Sequence, residues 1–156
     1  MPVWLVTLIV GIVAGGVASV VMNLYQGVAA PLFGQAPGSD DPATVKAADT
    51  ASKAATGEPV TQRRRAAAGS AAHYATGVAL GIIYAYAVLA WPPAAIGFGA
   101  GFGVVTMLLL DDLLVPAMGW GPWPTSLASH AYSLSSHVVF GVVLEGARRI
   151  GGALLG

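Results

Sequence analysis

The sequence predicts an all-α membrane protein whose four transmembrane helices form one bundle, and two observations carry this prediction. The chain is 56% hydrophobic and only 9% charged, whereas soluble domains are about 25% charged. In addition, residues 1–39 and 66–110 contain no Asp, Glu, Lys or Arg. One helical crossing takes roughly 20 apolar residues. The second run is therefore long enough for two crossings, with Pro92-Pro93 at the turn between them.

Composition also limits the function. The formal net charge is zero, which argues against a nucleic-acid partner. The chain has no cysteine, so disulfides, thiolate metal sites and cysteine nucleophiles are excluded. The sequence contains no nucleophile–base–acid set, phosphate-binding loop or H-E-x-x-H pattern. We therefore expect a non-catalytic protein with a single membrane domain, residues 1–156, embedded in a lipid bilayer.

Charged or proline-containing turns separate the expected spans, which lie at about residues 2–24, 66–90, 94–115 and 125–147. The first span lacks the basic start of a secretory signal and its apolar run is longer than a signal's core, so we interpret it as retained. Residues 26–62 contain several prolines and are predicted to lie outside the bilayer. Within them, Asp41-Pro42 precede an alanine-rich run, which predicts a short helix near residues 42–56. This helix is expected to lie on the membrane surface or to cover the bundle.

Four crossings place both termini on one face of the membrane and the first loop on the other. That loop carries Lys46, Lys53 and the arginines at 63–65, whereas the terminal face carries Arg148 and Arg149. Cytoplasmic loops are enriched in Lys and Arg, so the first loop is predicted to be cytoplasmic in a multi-pass protein of the inner membrane. Two further charged clusters are likewise expected to meet water, at residues 111–112 and 145–149.

Small residues spaced four apart mark two of the spans. The first span carries Gly11 and Gly15, and the third opens with glycines at positions 97, 99, 101 and 103. Such GxxxG spacing lets helix backbones approach closely. We expect these faces to dock a helix of a partner membrane protein or of a second copy. An accessory or structural membrane subunit is therefore the leading functional hypothesis.

Spans two and four share the pattern H-x-x-x-G-V-x-L, at residues 73–80 and 137–144. The tetrapeptides at 31–34 and 116–119 are both Pro-x-x-Gly. An internal repeat of this kind indicates two tandem helical hairpins related by an axis along the membrane normal. Chance similarity among Gly, Val and Leu is the alternative.

A set of residues between positions 73 and 141 forms a pattern similar to that of a known family. The set comprises His73-Tyr74, Gly77, Gly81, Tyr84, Asp112, Pro116, Gly119, His137 and Gly141. In this pattern the chain resembles the YagU-type family of small bacterial inner-membrane proteins, over roughly residues 66–149. The resemblance implies a polytopic inner-membrane protein from a family without an assigned biochemical role. It supplies no catalytic residue.

Ionisable groups inside a membrane are costly, and they usually have a partner, a bound ion or a pathway. The helix directions place five polar residues near the first-loop face: Asn23, His73, Asp111, Asp112 and His130. At about 1.5 Å rise per residue, these positions fall within a slab roughly 10 Å deep. We expect a polar His/Asp layer, and a hydrated belt that caps the bundle is its simplest interpretation.

Two cofactor hypotheses use this layer. If the repeat holds, His73 faces His137 as in a bis-histidine haem site, and Gly77 and Gly141 open the helix surface for the macrocycle. Counting depth instead pairs His73 with His130, because His137 lies about 10 Å deeper than that histidine. The other hypothesis is a divalent metal ion, held by His73, Asp112 and His130.

A third hypothesis concerns conduction. His130 and His137 share one face of span four with Ser133. This polar stripe favours a pathway for protons, ions or a small solute. The alternative is that the serine hydroxyls bond to carbonyl groups of their own helix.

Overall fold

The computed structural model describes residues 1–35, 41–123 and 126–155, and this part of the chain is all-helical as predicted. The helices are, in chain order, α1 (Val3–Ala29), α2 (Ala43–Thr56), α3 (Arg65–Ala90), α4 (Ala100–Met107), α5 (Val115–Ala117) and α6 (Leu127–Leu155). A π-helix, Leu108–Leu114, joins α4 to α5 in one continuous rod.

Three helical stretches of the described chain are long and apolar enough to cross a membrane: Val3–Phe33, Gln62–Ala90 and Ala100–Ala117. The last helix, α6, has 29 residues but is not among them. Its serines, histidines and the charged group at 145–149 lower its apolar character. The predicted start of the fourth span, Thr125, lies outside the described residues.

The predicted helix boundaries differ from the observed ones in two places. Helix α1 continues beyond residue 24 to Ala29 and ends in a 3-10 turn capped by Gly34, whose φ is 65°. Likewise, α6 extends beyond residue 147 to Leu155. Both helices are longer because they pack against each other over most of their length.

The third predicted span begins later than expected. Residues Pro92–Ala95 form a 3-10 turn, and Gly97, Phe98 and Gly99 then adopt left-handed backbone conformations with φ of 63°, 56° and 84°. A continuous helix therefore starts at Ala100 and not at residue 94. The close approach of Gly99 to α6 explains this turn, since a Cβ atom on Gly99 would lie 2.9 Å from the carbonyl carbon of Gly141.

Helix α1 lies at the centre of the bundle and packs antiparallel against both α3 and α6. Glycines make its contact with α3: a Cβ on Gly11 would lie 2.8 Å from the Cα of Ile82, and a Cβ on Gly81 would lie 2.6 Å from the Cα of Gly15. Real Cβ atoms do not approach so closely, so any larger residue would push the helices apart.

Helix α4 packs on α6 through a second glycine contact. A Cβ on Gly103 would lie 2.8 Å from the carbonyl carbon of His137, and one on Gly141 would lie 3.0 Å from the nitrogen of Gly103. The glycines at 11 and 15 and those at 99 and 103 are therefore filled by helices of the chain itself. Docking of a partner helix stays a prediction, and it would have to use other surfaces than these two.

The two glycine contacts have the same form, but the residues that correspond in them differ by one helical turn from those that the sequence repeat aligned. Gly81 rests against Gly11 and Gly15 as Gly141 rests against Gly99 and Gly103. The packing counterpart of Gly141 is thus Gly81, one helical turn beyond the Gly77 that the sequence pattern aligned with it.

Helices α3 and α4 follow each other in the chain but share little contact over their described lengths. Near their turn, the rings of Tyr84 and Phe102 lie 4.7 Å apart between centroids. This aromatic pair joins a buried core formed with Ala14, Met22, Val88, Phe140 and Leu144. Farther from the turn the two helices diverge, and a cavity occupies the space between them.

Candidate functional site

The cavity between the diverging helices has a volume of about 720 Å³, within the range of about 300–1,000 Å³ that is typical of small-molecule sites. Its walls come from α1, the start of α2, the first half of α3, the π-helix and α6. Apolar side chains in its lining include Met22, Leu80 and Phe140. Polar side chains in its lining include Asn23, Ser70, His73, Thr76, Asp111 and His137.

One polar wall lies where α3 meets α1. The ring Nε2 of His73 is 3.5 Å from the carbonyl oxygen of Ser19, and the Asn23 amide donates a hydrogen bond of 3.1 Å to the hydroxyl of Tyr74. The Ser19 hydroxyl donates to the carbonyl of Gly15, one turn earlier in its own helix. His73 and Asn23 therefore both face the cavity, as the predicted polar layer requires.

A carboxylate–histidine pair lines the cavity from the π-helix and α6. Asp111 accepts a hydrogen bond from the hydroxyl of Ser133, and its Oδ2 atom lies 3.7 Å from Nδ1 of His137. The same Nδ1 lies 3.1 Å from the carbonyl oxygen of Ser133. The side chain of His137 is only 9% exposed. Asp111 sits on the π-helix, a form that often occurs at functional sites.

A second carboxylate–histidine pair lies outside the cavity lining. His130 Nδ1 is 3.7 Å from Oδ1 of Asp112, and that oxygen is buried without a hydrogen-bond partner among the described residues. The predicted layer is thus divided into two groups. Asn23, His73 and Asp111 line the cavity, whereas Asp112 and His130 lie beside it in the contact between α6 and the π-helix.

The polar stripe on α6 faces the two aspartates. Ser133 bonds to Asp111 across the helix contact, while Ser135 and Ser136 donate to the carbonyl of Tyr132 in their own helix. Ser135 and Ser136 thus behave as the alternative expected, and the pathway hypothesis stays a prediction. Beyond His137, the stripe ends at buried Phe140 and Leu144, which close the interior in that direction.

The sequence left open whether His73 pairs with His137 or with His130. His73 and His137 line the same cavity, and His130 does not. Depth counting misplaced His130 because α6 does not start level with α3. Tyr132 of α6 reaches Gln26 of α1, whereas His73 lies beside Ser19, seven residues or about 10 Å away along α1.

The proposed ligand arrangements are only partly met. In the described residues, no group of three His, Cys, Asp or Glu side chains is placed to hold a metal ion, so the set of His73, Asp112 and His130 is split. Gly77 and Gly141 do not open free helix surface for a macrocycle. The side chain of Ser19 fills the space beside Gly77, and the backbone of α4 fills the space beside Gly141.

Helix α2 covers the cavity near its entrance. Arg65 Nη2 contacts Asp41 at 2.6 Å and Asp49 at 2.7 Å, and Trp120 donates a 3.0 Å hydrogen bond to Thr50. Val45 packs where Gly69 leaves room. Of the two predicted positions for this helix, the structure has the one in which it covers the bundle.

The sequence interpretation missed one polar site. Glu145 was expected to meet water, but it is completely buried. Its carboxylate accepts hydrogen bonds from Tyr84 at 2.9 Å, from Arg148 at 2.7 Å and from Arg149 at 2.6 Å. Arg149 also lies over the ring of Phe98, 4.9 Å from its centroid. The spacing of glutamate and arginines three and four residues apart on a helix was the available signal.

Comparisons of the chain with protein-family models, with curated proteins and with solved structures find no match.

Proposed function

We propose that this chain is an integral membrane protein of the bacterial inner membrane in which α1, α3, the α4–α5 rod and α6 all cross the bilayer. The apolar stretches in the first three support this proposal. For α6, the support is its length of 29 residues, about 44 Å as a helix, which matches a bilayer including its head groups. Large apolar side chains also face outward along α1, including Val13, Val17, Val20, Leu24 and Val28.

The first loop is cytoplasmic in this proposal, and the excess of Lys and Arg in that loop over the terminal face supports this placement. The absence of native cysteine allows a direct test, because an introduced cysteine is then the only thiol. In Lys53→Cys, a membrane-impermeant maleimide should label inverted vesicles and leave intact spheroplasts unlabelled. Leu154→Cys should give the opposite pattern. Equal labelling of both variants from one side would contradict four crossings.

The function we propose is non-catalytic binding of a small molecule in the cavity. One observation carries it: a space of about 720 Å³ is lined by histidine and aspartate side chains of different helices together with apolar side chains. Sites for small ligands combine an apolar lining with a few convergent polar groups. An accessory role through the glycine faces is not favoured, since those faces are occupied within the chain.

A cavity-filling substitution tests this function. Ala72 lines the cavity, whereas Ala75 on the same helix is exposed and is not in the lining. Protein purified in mild detergent should release a small molecule, detected by mass spectrometry of an organic extract, in wild type and Ala75→Trp. Ala72→Trp should lose it while keeping its thermal stability. The same extract from both variants would contradict ligand binding in this cavity.

Bis-histidine haem binding is the second candidate, because His73 and His137 line one cavity. His73 and His137 would each supply an imidazole nitrogen as a ligand to the haem iron. Protein purified from haem-supplemented cells should then have a Soret band that His73→Ala and His137→Ala each remove and His130→Ala keeps. A spectrum without the band in supplemented protein would eliminate this candidate.

A further inference from the structure

We propose that the cavity selects a lipophilic organic cation, a molecule with one buried positive charge and a largely apolar body. This inference rests on the proposed binding function and names the chemical class of its ligand.

The charged side chains around the cavity are mostly acidic. Its lining contains the charged side chains Asp41, Arg65 and Asp111. The guanidinium of Arg65 contacts both Asp41 and Asp49, so two carboxylates compensate its single charge. Within the described lining, two carboxylates therefore stand against one guanidinium, and the formal balance is negative when the histidines are neutral.

The negative charge balance of the lining favours a cationic ligand over an anionic one. An anion in the cavity would lie near the negative charge of Asp111. The guanidinium of Arg65 would do little to attract it, because that group is already paired with two aspartates. Like charges repel more strongly in an apolar environment than in water, since the effective dielectric constant is lower. A cation would instead compensate the charge of Asp111, whose close polar neighbours within the described residues are Ser133 and His137.

The size and apolar lining argue for an organic cation over a metal ion. The volume of about 720 Å³ is far larger than an ion needs, and no described group of three ligands is placed to hold a metal. The aromatic side chains Phe140 and Trp120 also line the cavity. Aromatic faces attract organic cations, by about 0.5–2 kcal/mol per contact.

Access also fits an amphiphile. Helix α3 and the π-helix both line the cavity, and α3 and α4 share little contact over their described lengths. A molecule that partitions into the bilayer would thus enter between these helices.

Two probes of nearly equal size and opposite charge test the proposal directly. The full-length protein is reconstituted in nanodiscs of phosphatidylcholine, and binding of tetraphenylphosphonium and of tetraphenylborate is measured by equilibrium dialysis against empty nanodiscs. We expect saturable binding of the phosphonium at least about tenfold tighter than that of the borate. A tenfold difference in affinity requires only a modest difference in binding free energy.

Two neighbouring aspartates supply the matched variants. Asp111→Asn removes the charge that lines the cavity and should weaken phosphonium binding at least about tenfold. Asp112→Asn makes the same chemical change outside the lining and should leave binding within about twofold. Equal loss in both variants would overturn the assignment to Asp111. The comparison of the two probes on wild-type protein does not depend on either variant folding.

The outcomes separate the failure of this inference from failure of the proposed function. Equal binding of both probes, abolished by Ala72→Trp, would overturn cation selection and support a ligand cavity. Phosphonium binding that Ala72→Trp leaves unchanged would place the probe elsewhere and overturn the inference. If neither probe binds while wild type still releases a molecule that Ala72→Trp loses, the cation class is wrong and ligand binding stands.

Discussion

At the scale of single residues, the most consequential group is the buried carboxylate of Glu145. It lies on α6 with no exposed area, and three donors satisfy it, namely Tyr84 of α3 and Arg148 and Arg149 of α6. A buried charge is tolerated only when it is paired and hydrogen-bonded. We infer that this group fixes the rotation of α6 against α3, and so the direction in which His137 faces.

Removing the carboxylate should therefore destabilise the protein strongly. Glu145→Leu removes the acceptor of three hydrogen bonds, but the arginines left behind are 24% and 59% exposed. We therefore expect a cost of at least about 1.5–3 kcal/mol from the lost charged hydrogen bonds, below the about 3–5 kcal/mol of a pair whose remaining charge is buried. Tyr84→Phe removes one hydrogen bond to a charged group and should cost about 1.5–3 kcal/mol. Thermal unfolding in mild detergent measures both effects. A Glu145→Leu protein that unfolds at the wild-type temperature would contradict a structural role for the buried carboxylate.

At the scale of helices, the sequence predicted most of the architecture. Uncharged runs bounded by charge or proline located the helices because a helix in lipid needs a continuous apolar stretch. The positions of the π-helix and of the left-handed turn at Gly97, Phe98 and Gly99 were not predictable in this way. Both depend on how α4 meets α6, which is a property of packing and not of local sequence.

Adjacent glycines on α1 test the helix contact. Gly15→Ala would place a Cβ 2.9 Å from the Cα of Val78, whereas Gly16 has no heavy atom within 4 Å of the same position. We expect Gly15→Ala to lower the free energy of unfolding by about 1–3 kcal/mol through overpacking. Gly16→Ala should be neutral or stabilising by up to about 1 kcal/mol, since alanine favours helix. Equal effects in denaturation experiments would mean that α1 and α3 do not approach so closely.

The cover formed by α2 makes a separate prediction. Arg65 holds the start and middle of this helix through Asp41 and Asp49. In Arg65→Gln, amide hydrogen exchange should become faster across Ala43–Thr56 and stay unchanged in α1, because only the anchoring of α2 is lost. Arg64→Gln, an exposed neighbour, is the matched control. Unchanged exchange in Arg65→Gln would show that α2 is held by other contacts.

At the scale of the whole molecule, the site was predictable only in part. The sequence brought Asn23, His73 and Asp111 to one level, and these residues do line one cavity. It could not decide between His130 and His137, since that choice depends on the offset of α6 along α1. The buried position of Glu145 was missed because its neighbours are arginines, which usually mark a water-facing end.

The proposed function requires one feature of the whole molecule, a cavity on the first-loop face that a small molecule can enter. Cysteine accessibility tests it, with Ser70→Cys in the cavity lining and Ser136→Cys at a fully buried position of α6. A small methanethiosulfonate reagent added to inverted vesicles should label Ser70→Cys and leave Ser136→Cys unlabelled. Prior addition of tetraphenylphosphonium should slow the labelling of Ser70→Cys. Equal labelling of both thiols, or a Ser70→Cys thiol that does not react, would contradict the cavity and the function argued from it.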